Sequence, residues 1–468
     1  MQTMPQPAQL VKQLVQLVAT QREAFGQERV YLRGLALLLA ELTAFNTHCV
    51  TDLLRGMGLD HEDWTAWYRL FQKRSRFNPS IGFEKLFQEI LTQVSPNTPL
   101  VVGGDVTTLP RNSKTLEGVW WAKCPRTPPF RIGIHLAQRF FNGCWLSPLE
   151  DGFSRAIPIQ FTPAFPKKAA TVLYPEQKEQ AAGVAFLKEV RAGLDVARRE
   201  EQAVLSLFDG SYDKPDFWKN LPPLTYALVR TAKNRALKQF PPPREPDAKG
   251  RPLLYGAAAP APQDYLALQD GWTTTMVRVR GHERKMIYRV EGAFLRQTMP
   301  AVPLFLICVR GQSWEKNGKD KRRDPVFYLV NARQEGDRWV LPFEIEMLLE
   351  WAWQRWELEV VHREVKSIFG MGDKQASHPQ AAVCSVQWSA WVYANLMLTG
   401  YRTDGAAQAV KRPEAWRRHP RRWTLTTLLN DCREALVTYP AFRGLYGRTP
   451  HNWLKMETLL QSLATPVA

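Results

Sequence analysis

LVVGGDVTTLP, residues 100 to 110, decides the fold class: an apolar run reaches two glycines and a carboxylate, Asp105, before a turn residue at Pro110. A short run rich in valine and bounded by turn formers reads as a buried strand with Asp105 at its polar end. Working outward, the N-terminal side is different. Through residue 95, apolar positions recur at spacings of three and four, as in Leu10, Leu14 and Leu17, with few breakers before SPNTP at 95–99, which predicts helices. On the other side, EGVWWAK (117–123) and FRIGIHLAQRFF (130–141) continue as strands, so three strands in succession predict an antiparallel meander. A helix is expected from Gln177 to about Gln202, then a buried strand in AVLSLFDGSYD (203–213), a helix in KPDFWKNL (214–221) and a strand in LTYALVRTAKN (224–234). That order is expected of a mixed α/β layer with carboxylates, Asp105 and Asp209, at strand ends.

Further along, residues 241 to about 265 are rich in Pro, Ala and Gly and mark an excursion from the core. Strand signals resume in MVRVRG, KMIYRV, VPLFLICVRG, PVFYLVNA and RWVLPF, giving a β-rich insertion over 241–343. Helical periodicity returns at EIEMLLEWAWQRWELEVVHREVKSIFG (344–370). At 100° per residue, Arg355, Glu359 and Lys366 share one row of this helix while Leu358, Val361, Val365 and Ile368 form the apolar stripe. The row also fits a solvated face with Arg355 and Glu359 paired at i,i+4. Glu357 and Glu364 point elsewhere.

The chain of 468 residues carries 62 Lys and Arg against 45 Asp and Glu, a formal charge of +17, which favours polyanionic partners and nucleic acid first. Six scattered cysteines give neither a disulfide framework nor a zinc knuckle. The N-terminal MQTMPQPAQLVKQLVQLVATQ has amphipathic spacing in place of a secretory leader, and no apolar run is long enough for a bilayer, so the expectation is a soluble, cytoplasmic protein with no membrane partner. Phosphodiester cleavage and strand transfer call for two divalent cations and hence for converging carboxylates. Strand ends plus one helix supply such carboxylates in Asp105, Asp209 and Glu359. Taken alone, each aspartate also reads as a turn or cap residue.

RWELEVVHREVK (355–366) carries Arg, three residues, Glu, six residues and Lys, and resembles the third motif of bacterial insertion-sequence transposases of the DDE class. GGDVTTLP is similar to that group's first-Asp strand, and LFDGSYDKPDFWKNL followed by LVRTAKNR resembles its second-Asp block. The resemblance runs over roughly residues 30 to 440. In the group a Tyr usually stands three residues before the Arg; here that position is Ala352. The resemblance implies a ribonuclease-H-like catalytic core with a β-rich insertion, preceded by an all-helical N-terminal domain and followed by a helical C-terminal region. In residue ranges these are a helical DNA-binding domain at 1–95, the first part of the core at 96–240, the insertion at 241–343, the catalytic helix and end of the core at 344–400, and a basic helical region at 401–468.

It further implies two divalent cations, Mg²⁺ or Mn²⁺, held by Asp105, Asp209 and Glu359, with Arg355 and Lys366 on phosphates near the scissile bond. Its partners are double-stranded DNA, as transposon-end inverted repeats and target, and a second copy of the chain or a larger assembly. In a bacterial cell it is then nucleoid-associated. Trp351 is a candidate to replace the missing phenol at 352. Two basic stretches add candidate DNA contacts, the first read against a solvated loop with buried tryptophans and the second against a plain exposed loop. KRPEAWRRHPRRW (411–423) offers Arg417, Arg418, Arg421 and Arg422 with Trp416 and Trp423 interleaved, and WEKNGKDKRRD (314–324) offers Lys319, Lys321 and Arg322. A helix-turn-helix outline at 51–74, with Asp60 as cap and Asp63 reaching back, stands beside the plainer reading of two packed helices. His362, beside the polar row, is the one histidine with a candidate role. The rival to a transposase is a transposase-derived DNA-binding protein that has lost its chemistry, and a nuclease without strand transfer would share the same site.

Overall fold

The computed structural model describes residues 6–44, 47–57, 59, 63–124, 133–244, 250–316, 319–374, 376–408 and 422–438. Five helices precede the first strand: α1 (Gln6–Ala19), α2 (Glu28–Thr43), α3 (Val50–Gly56), α4 (Thr65–Tyr68) and α5 (Pro79–Leu91). The strands β1 (Leu100–Pro110), β2 (Trp120–Lys123), β3 (Ile134–Leu146) and β4 (Ala156–Pro163) follow, then α6 (Glu179–Val196), β5 (Val204–Phe208), α7 (Pro215–Lys219) and β6 (Thr225–Arg230). A strand-rich stretch comprises β7 (Thr273–Val279), β8 (His282–Arg296), β9 (Met299–Val309), β10 (Gln312–Lys316), β11 (Lys319–Arg323), β12 (Val326–Asn331), β13 (Arg333–Glu335) and β14 (Arg338–Val340). It ends in α8 (Ile345–Gln354), α9 (Trp356–Ser367), α10 (Pro379–Asp404) and α11 (Leu425–Thr438).

A ten-stranded mixed sheet runs β2-β3-β1-β5-β6-β12-β9-β8-β7, with β4 also pairing β3. β1, β5 and β6 are parallel to one another, while β3 is antiparallel to both β1 and β4. The strand-rich stretch is therefore joined to the core: β12 pairs with β6, and β9, β8 and β7 extend the same sheet.

Four strands, not three, precede α6. The fourth, AIPIQFTP, holds two prolines that remove ladder donors, which is why its sequence is a poor strand signal. An edge position beside β3 tolerates them.

β1 is largely buried on both faces because α6 and α9 pack against it. Its glycine pair makes this possible. A Cβ at Gly103 would lie 3.0 Å from the Leu358 side chain on α9, and one at Gly104 would lie 2.4 Å from the Phe141 ring. The strand carrying Asp105 and the helix carrying Glu359 are thus in contact through a position that only glycine fills without displacement.

The predicted single helix over 344–370 is two, α8 and α9, meeting at Arg355. Leu358, Val361 and Val365 of the apolar stripe are buried, with Ile368 partly so.

Residues 6–95 share one core with α10. Phe25 and Phe77 pack edge-on against Trp388, at 6.5 and 5.0 Å between ring centres. Helix α10 is buried on every side from Ala381 to Gly400, with Ser385, Gln387, Ser389, Asn395 and Thr399 among its buried residues. No helix among the described residues is long and apolar enough to cross a membrane.

Of the helix-turn-helix outline, α4 is a single turn continued by a 3-10 turn at Arg69–Phe71. Asp63 accepts from the Thr65 amide at 2.9 Å, and Asp60 lies outside the described residues.

Candidate active site

The parallel register of β1 and β5 pairs Leu100 with Val204 and Gly103 with Leu207. Continued by two residues, it sets Asp105 beside Asp209, at the point where β5 has ended and β1 runs on. The sequence puts Asp209 there by following an apolar strand with DGSY, whose carboxylate caps the next turn: Oδ1 accepts from the Ser211 amide at 2.9 Å and its hydroxyl at 2.6 Å. Asp209 is therefore both the turn residue and a member of the carboxylate pair.

Burial, and then the facing charge of Asp209, pushes the Asp105 carboxyl up to about 7, against hydrogen bonding from the Val106 amide and attraction from Arg355. The unfolded carboxyl titrates near 3.8. Between those values the folded chain binds the extra proton, so raising the pH through that window lowers the stability of the cation-free protein, which levels off above about 7. Melting curves in EDTA between pH 4 and 8 should show the gap between wild type and Asp105→Asn widen in the variant's favour as the pH rises. A constant gap would mean that neither burial nor the charge of Asp209 raises the Asp105 carboxyl.

Arg355, at the joint of α8 and α9, stands within the field of Asp105 and donates to Glu359 Oε1 at 2.7 Å. The structure thus brings together Asp105, Asp209 and Arg355, with Glu359 one hydrogen bond further out. Among the described residues no three acidic, His or Cys side chains form a group close enough to hold a metal ion. Lys366 lies on the same helix. With burial first, and Lys366 and Arg355 after it, the His362 imidazole is pushed down to about 3 and is neutral.

Sequence reasoning missed the cationic cleft beside this site. About 490 Å³ in volume, it is lined by Arg230, Arg280, Arg284, Arg323 and Arg355, with Tyr328, Ala352, Trp353 and Trp356. Arg323 lies 4.0 Å over the Trp353 ring. A second cleft of about 900 Å³ borders Asp209 and shares Arg230. These arginines come from β6, the β7–β8 turn, β8, the end of β11 and the α8–α9 joint, so only the folded sheet collects them. The alternation in MVRVRG and the run KDKRR were the available signals.

Trp351 does not replace the missing phenol. It is buried with Leu348 and Leu349 in the core under β7, because its place on α8 faces the sheet. Tyr328, on β12, is the phenol that reaches this cleft.

Of the other candidate contacts, Lys321 and Arg322 are exposed on β11, in a hairpin with β10, and Lys319 belongs to the same strand. Arg417, Arg418 and Arg421 lie outside the described residues. Arg422 is engaged within the protein: its guanidinium donates to both Glu357 oxygens at 3.0 and 2.8 Å and to the Ser154 carbonyl at 2.9 Å. Next to it, Arg155 stacks 3.5 Å from the Trp423 ring centre. The chain after residue 421 is therefore fastened to α9 two residues before Glu359. Glu357→Ala should cost roughly 3 kcal/mol by leaving the Arg422 charge uncompensated, whereas Glu357→Met with Arg422→Met should cost much less. Thermal unfolding of both variants decides it, and equal losses would deny the pair this role.

Two facing aspartates at the edge of a mixed sheet, beside an arginine-lined cleft, make a carboxylate site suited to hard cations and polyanionic substrates. Residues 20–285, more than half of the chain, match the model of the family described as DDE superfamily endonuclease, and the chain belongs to that family. The matched stretch holds Asp105 and Asp209 and stops before Glu359. Among solved structures, the chain is similar to piggyBac transposase in a synaptic complex with hairpin DNA, at 9% identity, covering 94% of this chain and 74% of that one, with a TM-score of 0.36. No curated protein matches the chain.

Proposed function

We propose that the protein is a DNA transposase that cuts at transposon ends and joins the freed 3′ hydroxyl to target DNA. The observation that carries this reading is the register that sets Asp105 beside Asp209 in a chain of the DDE endonuclease family. The β4-β3-β1-β5-β6 order, with β1, β5 and β6 parallel, supports a ribonuclease-H-like core.

Asp105 and Asp209 fit a divalent-cation site, because two facing carboxylates that repel each other are relieved by a cation between them. Asp105, Asp209 and Glu359 would hold two Mg²⁺ or Mn²⁺ ions. When bound, these supply activation of the attacking oxygen and stabilisation of the leaving one. Everything else falls to the chain itself. Arg355 keeps Glu359 at the edge of the aspartate pair and, with Lys366 and Arg230, places positive charge where a phosphate must sit. The arginine-lined cleft tracks a DNA backbone, and Tyr328 offers its hydroxyl where position 352 has none. The basic strand at Lys319, Lys321 and Arg322, and the stretch with Arg417, Arg418 and Arg421, extend the DNA surface. Arg422 anchors that stretch to α9. A second copy of the chain serves the paired end.

The test incubates wild-type and Glu359→Gln protein with a supercoiled plasmid carrying the DNA that flanks its own gene, in Mg²⁺ or EDTA. Discrete Mg²⁺-dependent cuts and joined products, absent with Glu359→Gln, support the proposal. Cuts without joined products favour a nuclease, and specific binding without cutting favours a DNA-binding derivative that has lost its chemistry.

A further inference from the structure

Asn142 lies directly across from Asp105 in the antiparallel register of β1 and β3. Paired residues of such strands turn their side chains to the same face, with Cβ atoms about 4.5–5.5 Å apart, so an amide and a carboxylate placed there are within reach of one hydrogen bond. On its other side Asn142 pairs with Phe161 of β4, and along β3 the same face carries Phe140 and Cys144. All three are buried, as is Leu358, which α9 sets over Gly103 on this face.

Asn142 is itself fully buried, and the two ends of its amide differ. Oδ1 accepts from the Cys144 thiol at 3.5 Å, while Nδ2 has no hydrogen-bond partner among the described residues. A buried amide nitrogen with unmet N–H groups costs stability, and leucine would fill such apolar surroundings without that cost. Asparagine at this position therefore calls for a function. Among its neighbours in the register and along the strand, the strong acceptor is Asp105. The Asp105 Oδ1 already accepts from the Val106 amide at 2.7 Å, so the other oxygen is the one left for an amide across the strand pair.

We infer that Asn142 is a positioning residue of the proposed carboxylate site, its Nδ2 donating to the second oxygen of Asp105 and holding that carboxylate turned toward a cation shared with Asp209. This rests on the cation site proposed above. Asn142 lies wholly inside the protein, so it meets neither cation nor DNA and acts through Asp105. A carboxylate held by the Val106 amide alone can pivot about that bond, and a second donor fixes its plane. The bond to Asn142 is not made in the structure, and the last torsion of an aspartate is broad enough for a turn of the carboxylate to complete it. Outer donors of this kind orient the side chains that bind metals.

Mn²⁺ binding to the purified protein, followed by electron paramagnetic resonance, and melting curves in EDTA are measured on wild type and Asn142→Leu. Leucine removes the unmet donor, so the variant should melt no lower than wild type while binding Mn²⁺ about tenfold more weakly. Wild-type Mn²⁺ affinity in the variant overturns the inference and leaves the cation site standing. Weaker binding together with a lower melting temperature also overturns it, since disturbed packing accounts for both. No Mn²⁺ binding in wild type overturns the cation site and the inference with it.

If Asn142→Leu does not fold, wild-type crystals grown with Mn²⁺ decide the matter. Nδ2 of Asn142 within about 3.2 Å of an Asp105 oxygen supports the inference, and Mn²⁺ at the aspartate pair without that bond excludes it.

Discussion

Asp105→Asn is expected to reduce metal-dependent DNA cleavage by more than about a hundredfold while raising the melting temperature of the cation-free protein. The loss follows from removing a carboxylate at the centre of the site, since even the outer partners of metal ligands cost ten- to a hundredfold. The gain follows from the electrostatics. Burial and the charge of Asp209 push the Asp105 carboxyl up to about 7, so from neutral pH upward the folded chain ionises a group it would be more stable keeping neutral. About three pKa units correspond to at most about 4 kcal/mol, and partial exposure and the amide's own unmet hydrogen bonds reduce that. Activity on a plasmid substrate and melting curves in EDTA check the two halves separately. A variant that melts lower than wild type and still cleaves would remove Asp105 from the site. Opposite movements of stability and activity are what a site built for cations requires.

Asp213→Ala is expected to destabilise the fold by roughly 3–5 kcal/mol, the largest single loss anticipated outside the hydrophobic core. Its carboxylate is fully buried. It accepts from Arg296 Nη1, Arg235 Nη2 and Thr231 Oγ1, each at 2.6 Å, and from Trp218 Nε1 at 3.1 Å. These donors come from β8, from the segment that follows β6 and from α7, so one carboxylate ties the crossover after Asp209 to both neighbouring parts of the sheet. Alanine leaves the Arg296 guanidinium inside the protein without its counter-charge. Asp213→Asn keeps the shape and should lose less, because the amide still accepts from one or two donors. Thermal unfolding of both variants tests this, and wild-type stability in Asp213→Ala would show that the network relaxes without cost. Because Asp209 lies four residues upstream, the alanine variant should also weaken cation binding.

How much of this was readable in the sequence depended on the range of the interaction. The strands carrying Asp105 and Asp209 were legible because LVVGG and VLSLF are buried on both faces, which leaves an unbroken apolar run. The Arg355–Glu359 pair was legible because i,i+4 spacing is local. β4 was not, since Pro158 and Pro163 argue against a strand unless its edge position is known. The break between α8 and α9 was hidden because neither glycine nor proline marks it. Trp351 could not be placed until α8 was seen to pack on β7. Arg422 looked like part of a basic stretch, and its partner Glu357 lies 65 residues away. Gln180 and the Ser211 carbonyl meet only through the packing of α6, which periodicity within α6 does not report.

In the proposed transposase, Asp105, Asp209 and Glu359 converge on cations. Crystals of the wild-type protein grown with Mn²⁺, with diffraction recorded at the manganese absorption edge, test it most directly. Anomalous peaks are expected between Asp105 and Asp209, with a Glu359 oxygen on one of them in place of its bond to Arg355. Saturating Mn²⁺ with no peak at the aspartate pair, or peaks there with Glu359 still held by Arg355, would contradict it.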